Sequence, residues 1–364
     1  MHRKFHRKME EMLGLDAPFI VATVIKVRGS AVAKPGAKAI IDGEGRPVFG
    51  WVGGGCVESF VCAEAKEALE AGAPRVIVAD LEDELSGVGL PCGGVMEIFI
   101  EPVIPRRRVR VSGESAAAHA ASEMLERIGF AVSRGSPDEI ESGSLIIKEE
   151  SLAGDGARAG AGLDTGGASA AEIALSVVAE WLAVTRGAST RPLQESRMGA
   201  PVAAFESLDE RVTNPLLVII GHSNITEELA WLASRLGWRV FVDSASAVQE
   251  SYPAGVDIVR DDADFSRLPA NSEAAVIVAT HHKGDHLAIE RALDAGAWYV
   301  GLIASAHRSK LVRAMLEDSL EMDAPLHRLR TPSGLDLGAT TPAEIALSIM
   351  SEVLACFHGR TGHR

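Results

Sequence analysis

The sequence predicts an α/β protein in which an N-terminal α+β domain is followed by a shortened and a full Rossmann-like parallel-sheet unit. From Leu217 onward, apolar β-branched runs alternate with helical periodicities, the pattern of a doubly wound parallel sheet. One passage is also written twice, GLDTGGASAAEIALSVVAE from Gly162 and GLDLGATTPAEIALSIMSE from Gly334. Upstream of each lies a strand, a glycine turn and a helix, RVRVSGESAAAHAASEMLERIGFAV from Arg108 and LVIIGHSNITEELAWLASRLGWRV from Leu217. Gly113 aligns with Gly221 at an offset of 108 and Glu172 with Glu344 at 172, so the earlier copy is 64 residues shorter in its middle. Such a repeat means two related units, with the intact one expected to be the working copy.

The elements follow in order. FIVATVIKV, AKAIID and PVFGWV read as strands, CVESFVCAEAKEALEAG as a helix, and RVIVAD and VMEIFIEP as further strands, so residues 1–104 form one α+β domain. Ile104-Pro105 and the three arginines after it break the apolar pattern and mark its end. Residues 105–188 form the shortened repeat, whose interior, KEESLAGDGARAGAGLDTGG, is poor in bulky apolar residues. Residues 189–214 read as a linker and 215–364 as the full unit: LLVII, ITEELAWLASRLG, RVFVD, AAVIVAT, AIERALDAG, WYVGLIA, then helices. Ligands of such a sheet lie beyond the carboxyl ends of its strands, here Gly221–Asn224, Asp243–Ser246, Thr280–His286 and Ala304–Arg308. Thr341-Pro342-Ala343-Glu344 is helix-start grammar, with Glu172 and Glu344 in equivalent capping places.

A formal charge of −14 over 364 residues argues against affinity for nucleic acid or anionic membrane. MHRKFHRKMEEMLG is basic without the apolar core of a secretion signal, and no later run reaches the ~20 apolar residues of a membrane span, so the cytoplasm is expected. The four cysteines, Cys56, Cys62, Cys92 and Cys356, are too few for a disulfide scaffold in a chain this long.

Two glycine-rich stretches in the first domain, Gly29 to Ala37 with Ser30 and Lys34, and Gly50 to Glu58 with Gly53, Gly54, Gly55 and Cys56, let backbone N–H groups approach a ligand. Cys56 falls in the first turn of a helix, where a thiol becomes more acidic and a better metal ligand or nucleophile. Cys92 and Gly93 place a second thiol in a similar loop. Both segments also fit tight turns around small buried cysteines. In the last unit, THHKGDH from Thr280 gathers His281, His282, Lys283, Asp285 and His286 at the ligand edge, suited to phosphate or a transient metal; the alternative is a solvated loop with Asp285 as helix cap. Ser305, His307, Arg308 and Lys310 form a second cationic group, although cations on a helix face are often merely exposed. Asp336 is able to face the same cleft, and Asp243 to contact a ribose or to end a turn.

GSAVAKPGAKAIID, GWVGGGCVES, GVGLPCGGVMEIFIEP, THHKGDH, YVGLIAS and GLDLGATTPAEIALSI, in this order, resemble the XdhC/CoxI family over most of the chain. The resemblance implies a maturation chaperone rather than a turnover enzyme. Such a protein binds molybdenum cofactor, a molybdopterin with or without the cytosine dinucleotide extension, and supports its sulfuration and insertion into an apo molybdenum hydroxylase of the xanthine dehydrogenase, aldehyde oxidase or CO dehydrogenase type. A cysteine desulfurase and a homodimer are the further partners it implies. Carried over, the cofactor-site candidates are Ser30, Lys34, Gly53–Cys56, Cys92 and Gly93, with Cys56 and Cys92 as metal ligands; Gly221, His222 and Ser223 join them from the last unit. One departure stands out: Gly221-His222-Ser223 lacks the second glycine of the dinucleotide fingerprint, as does Gly113-Glu114-Ser115, which argues against NAD(P). An NAD(P)-dependent oxidoreductase and a factor assembling a copper–sulfur centre are the competing functions.

Overall fold

The structure is a computed structural model that describes residues 2–29, 33–80, 94–135, 145–146, 162–208, 212–260, 265, 267–280, 284–319 and 325–362. Ser30, residues 81–93 with Cys92 and Gly93, and the His281–Lys283 triplet lie outside these. The chain divides into two compact units, Met1–Arg107 and Arg108–Arg364.

The first unit is an antiparallel sheet with a helix on each face. Its strands are β1 (Phe19–Gly29), β2 (Lys38–Asp42), β3 (Pro47–Gly50), β4 (Arg75–Asp80) and β5 (Gly94–Val103), ordered β3-β2-β1-β5-β4. Period-two alternation along β1 assigns the faces. Ile20, Ala22 and Val24 pack against Val57, Val61, Ala65 and Ala68 of α2 (Cys56–Ala71). Phe19 and Val21 meet Phe5 and Met12 on the other side. These last belong to α1 (His2–Gly14), a helix the basic N-terminal segment conceals: Phe5, Met9 and Met12 recur at helical spacing in an otherwise charged stretch.

The second unit carries two parallel sheets. The larger has β9 (Leu216–Ile220), β10 (Arg239–Asp243), β11 (Asp257–Val259), β12 (Ala274–Val278), β13 (Tyr299–Leu302) and β14 (Leu329–Arg330), ordered β11-β10-β9-β12-β13-β14. Numbered along the chain, that is the 3-2-1-4-5-6 order of a Rossmann sheet. Strands β11 and β14, of three and two residues, are too short to show a period in the sequence. The smaller sheet has β6 (Arg108–Ser112), β7 (Ala131–Gly135) and β8 (Leu145–Ile146), ordered β7-β6-β8, which matches β10-β9-β12 at the centre of the larger one. Helices α3 (Ala116–Arg127) and α4 (Ala170–Arg186) accompany the small sheet. Helices α6 (Asn224–Arg235), α7 (Asp285–Asp294), α8 (Ala306–Ser319) and α9 (Pro342–Phe357) accompany the large one. Between the copies, Leu193–Met198 forms α5, so the expected linker is partly structured.

The copies share one core through packing of α3 on α4, α6 on α9 and α4 on α9. Their local chemistry repeats residue for residue. Ser169 and Thr341 each form a capping box, with Glu172 and Glu344 respectively. Ser176 Oγ donates to the Leu163 carbonyl at 2.7 Å, and Ser348 Oγ to that of Leu335 at 2.6 Å. Gly162 and Gly334 have φ of 108° and 109°, and a Cβ at either would lie 2.5 Å from the serine hydroxyl of its own copy. Two arginine–glutamate pairs cross between the copies, Arg127 to Glu228 at 2.7 Å and Arg235 to Glu123 at 3.2 Å, with both guanidinium groups over the Trp231 ring. No helix among the described residues is long and apolar enough to cross a membrane.

Candidate functional site

In the first unit, Cys56 is the first residue of α2, and the N-cap Gly55 offers no side-chain cap to the helix's leading N–H groups. Those donors have no partner inside the helix, and the partial positive charge they carry favours an anion or a thiolate. Gly54 and Gly55 are exposed, and the space where Gly55 would carry a Cβ is empty to 4 Å, so a ligand can reach the backbone there. Gly53 serves packing instead: its φ is 151°, and a Cβ would meet Val57 Cγ1 at 2.6 Å. Lys34 is exposed in the turn before β2, with its carbonyl accepting from Ala37 N at 2.9 Å. Cys62 lies further along α2, where burial, then Glu58 and Asp42, push its thiol pKa up and disfavour a thiolate.

In the second unit the ends of β9 and β12 meet at the topological switch point. Gly221 has φ of 113°, donates its N–H to the Asp243 carbonyl at 2.9 Å, and leaves no room for a Cβ, which would lie 2.4 Å from the Ala279 carbonyl oxygen. The glycine thus lets two turns approach each other. Ser223 and Thr226 occupy the second and third glycine positions of a dinucleotide fingerprint and bond to one another: Thr226 Oγ1 accepts from Ser223 N at 2.8 Å, and Ser223 Oγ from Thr226 N at 3.4 Å. Tyr252 Oη closes this group, 3.2 Å from Thr226 Oγ1 and 2.9 Å from His222 Nδ1. Burial raises the Tyr252 pKa, Thr226 opposing and Glu227 adding to the effect, so the phenol stays protonated. The α6 start is therefore capped by its own side chains, unlike that of α2. Tyr252 belongs to no motif, and nothing in the sequence places it beside His222.

Asp285 is buried at the start of α7. Its Oδ1 accepts from Thr280 Oγ1, and its Oδ2 accepts the Arg308 guanidinium, through Nε at 2.9 Å and also through the terminal nitrogen. Arg308, which the sequence leaves as a cation on a helix face, is thus tied across to the β12 turn, and Asp285 holds the first residues of α7 and α8 together. Asp336 lies in the loop after β14, its Oδ2 accepting from Ser189 Oγ at 2.9 Å and its carbonyl from Thr190 N at 2.9 Å. It lines a cavity of about 540 Å³ with Ser305, His307 and Arg308, so the structure brings Asp336 and the second cationic group together. Gly221, His222 and Ser223 do not line that cavity. Among the described residues no cluster of three or more His, Cys, Asp or Glu side chains is arranged to hold a metal.

The chain resembles proteins of one family along nearly its whole length. The XdhC and CoxI family model matches residues 14–80, and the XdhC Rossmann domain model matches residues 217–353. A Bacillus subtilis (strain 168) protein, by name a probable xanthine dehydrogenase component, is 24% identical over 367 residues, covering 96% of this chain and 96% of that one. The Escherichia coli (strain K12) molybdenum cofactor insertion chaperone PaoD is 33% identical over 93 residues, 26% of this chain and 29% of PaoD. A crystal structure described as a xanthine dehydrogenase from Bacillus halodurans is 21% identical, covers 97% of this chain and 96% of that chain, and superposes with a TM-score of 0.36. With a family match in each of its two units, in the chain order its motifs foretell, the protein belongs to the XdhC and CoxI family.

Proposed function

We propose that this protein is a maturation factor that binds molybdenum cofactor, supports its sulfuration and delivers it to an apo molybdenum hydroxylase. The observation that carries the proposal is the start of α2, where exposed glycines, uncapped N–H groups and Cys56 coincide in the stretch matched by the family model. A cofactor with an anionic phosphate and a sulfur-ligated metal needs backbone donors and a soft ligand, and both are available there. The likeness to PaoD supports the same reading. Cys92, Gly93, Ser30 and Lys34 complete the proposed site, and a cysteine desulfurase is the proposed sulfur source. Equal pterin and molybdenum contents in wild-type protein and Cys56→Ala, both purified from a molybdenum-replete host and equally folded, would remove Cys56 from the site.

The β11-β10-β9-β12-β13-β14 order favours a second reading, an NAD(P)-dependent oxidoreductase. The mutual capping of Ser223 and Thr226 weighs against it, because their side chains stand where the pyrophosphate backbone would approach. Calorimetry with NADH and NADPH discriminates: micromolar binding of either supports the oxidoreductase, and its absence supports the maturation factor.

A further inference from the structure

The cavity beyond the carboxyl ends of β13 and β14 has a composition of its own. Its apolar lining includes Ile303, Ile345 and Ile349, together with Leu311, which is 55% exposed. An exposed leucine at a cavity mouth is apolar surface available to a ligand. Arg197 on α5 and His307 in the first turn of α8 also line it, both exposed. Neither has a hydrogen-bond or ion-pair partner among the described residues, whereas Arg308 beside them is neutralised by Asp285. Asp336 adds one carboxylate.

Small-molecule sites of roughly 300–1,000 Å³ typically combine an apolar lining with a few placed polar groups, as this one does.

We propose that this cavity binds a phosphorylated heterocycle. The phosphate is met by Arg197, by His307 and by the first N–H groups of α8, of which that of Arg308 is already taken by Ser305 Oγ at 3.3 Å. The isoleucines and Leu311 take the ring, and Asp336 accepts from an exocyclic amine or a sugar hydroxyl. A plain fatty acid fits the set poorly, because it brings Asp336 no donor beyond the Ser189 hydroxyl that its Oδ2 already accepts at 2.9 Å. The site is built from second-unit residues alone and stands whether or not the maturation reading does.

The test is calorimetry on the full chain with the common ribonucleoside 5′-monophosphates and flavin mononucleotide, each beside its nucleoside or riboflavin, and with inorganic phosphate. At least one monophosphate is expected to bind ten-fold or more tightly than its unphosphorylated form and than phosphate alone. The double variant Arg197→Gln, His307→Gln is expected to weaken it by at least ten-fold, and Leu311→Asp to abolish it. All three positions are exposed, so the variants should fold, which thermal unfolding checks. Cys56→Ala should leave this binding unchanged, which separates it from the proposed cofactor site. Failure of every phosphorylated probe to bind, equal affinity for phosphate alone, or indifference to all the cavity variants would overturn the assignment.

Discussion

Arg186, the last residue of α4, donates to Oε1 of Glu344 at 2.6 Å, and Glu344 is the residue whose carboxylate completes the capping box of α9. The reciprocal contact joins His358, at the end of α9, to Glu172, the capping glutamate of α4, at 3.4 Å. Both members of each pair are 172 residues from their counterparts. The loops follow the same exchange: Thr190 N donates to the Asp336 carbonyl and Gly362 N to that of Asp164. Each copy therefore closes the other's helix start with its own helix end, as two protomers related by a twofold axis would, but within one chain.

Glu344→Ala should destabilise the protein by about 3 kcal/mol, because it breaks a capping box and strands Arg186 against a buried wall. Glu172→Ala should cost less, since Glu172 is 14% exposed against 2% for Glu344. Urea denaturation of both variants gives the order, and a larger loss for Glu172→Ala would contradict it.

Acid should act through Glu172. Burial opposes its ionised form, but the His358 imidazole and the hydrogen bonds from Ser169 and Ala168 hold its pKa down to about 2, below the ordinary value of 4.5. A carboxyl lowered on folding contributes stability that is complete above its unfolded pKa and is lost as pH falls through the folded one. The contribution should accordingly fade between about pH 4.5 and 2. Melting temperatures across that window should fall less steeply in Glu172→Gln than in wild type, and parallel curves would exclude Glu172 as the source.

Tyr299→Phe should cost about 1–3 kcal/mol. The phenol donates to Oε2 of buried Glu352 at 2.6 Å, Gly334 N donates to the same oxygen at 2.8 Å, and Oε1 has no partner among the described residues. Burial already raises the Glu352 pKa, with Arg330 the leading opposing charge, so removing a donor should favour the protonated acid further. A denaturation midpoint unchanged from wild type would show that the hydroxyl contributes nothing.

Gly221→Ala should destabilise by more than about 2 kcal/mol, combining a strained φ with overlap on the Ala279 carbonyl. Gly55→Ala should cost less, since its added methyl meets open space and only the positive φ is strained. Comparing the two by thermal unfolding tests whether the switch-point glycine serves close packing.

In alkylation, Cys62 should react more slowly than a free thiol, because burial and the charges of Glu58 and Asp42 hold it protonated. Mass-spectrometric mapping after a short iodoacetamide pulse should find Cys56 modified before Cys62. The reverse order would rule out an acidic thiol at the start of α2.

The sequence by itself determined the α/β class, the duplication, the capping glutamates and the Gly53–Cys56 helix start, because strand and helix periodicity, capping grammar and glycine turns are local and are written in consecutive residues. It also revealed that the fingerprint glycine after Gly221 is missing. Only the tertiary structure decided that Thr226 and Tyr252 close that position, that Asp285 is committed to Arg308, and that Arg197 reaches the cavity holding His307 and Asp336. Helix α1 and the short β11 and β14 were hidden for a related reason: three apolar residues in a charged stretch, or two or three residues of strand, acquire meaning only against the sheet they pack on or pair with. The exchange of Arg186 and His358 between the copies required knowledge of which helix ends meet, and contacts spanning more than 150 residues are set by the packing of whole elements, which no local pattern records.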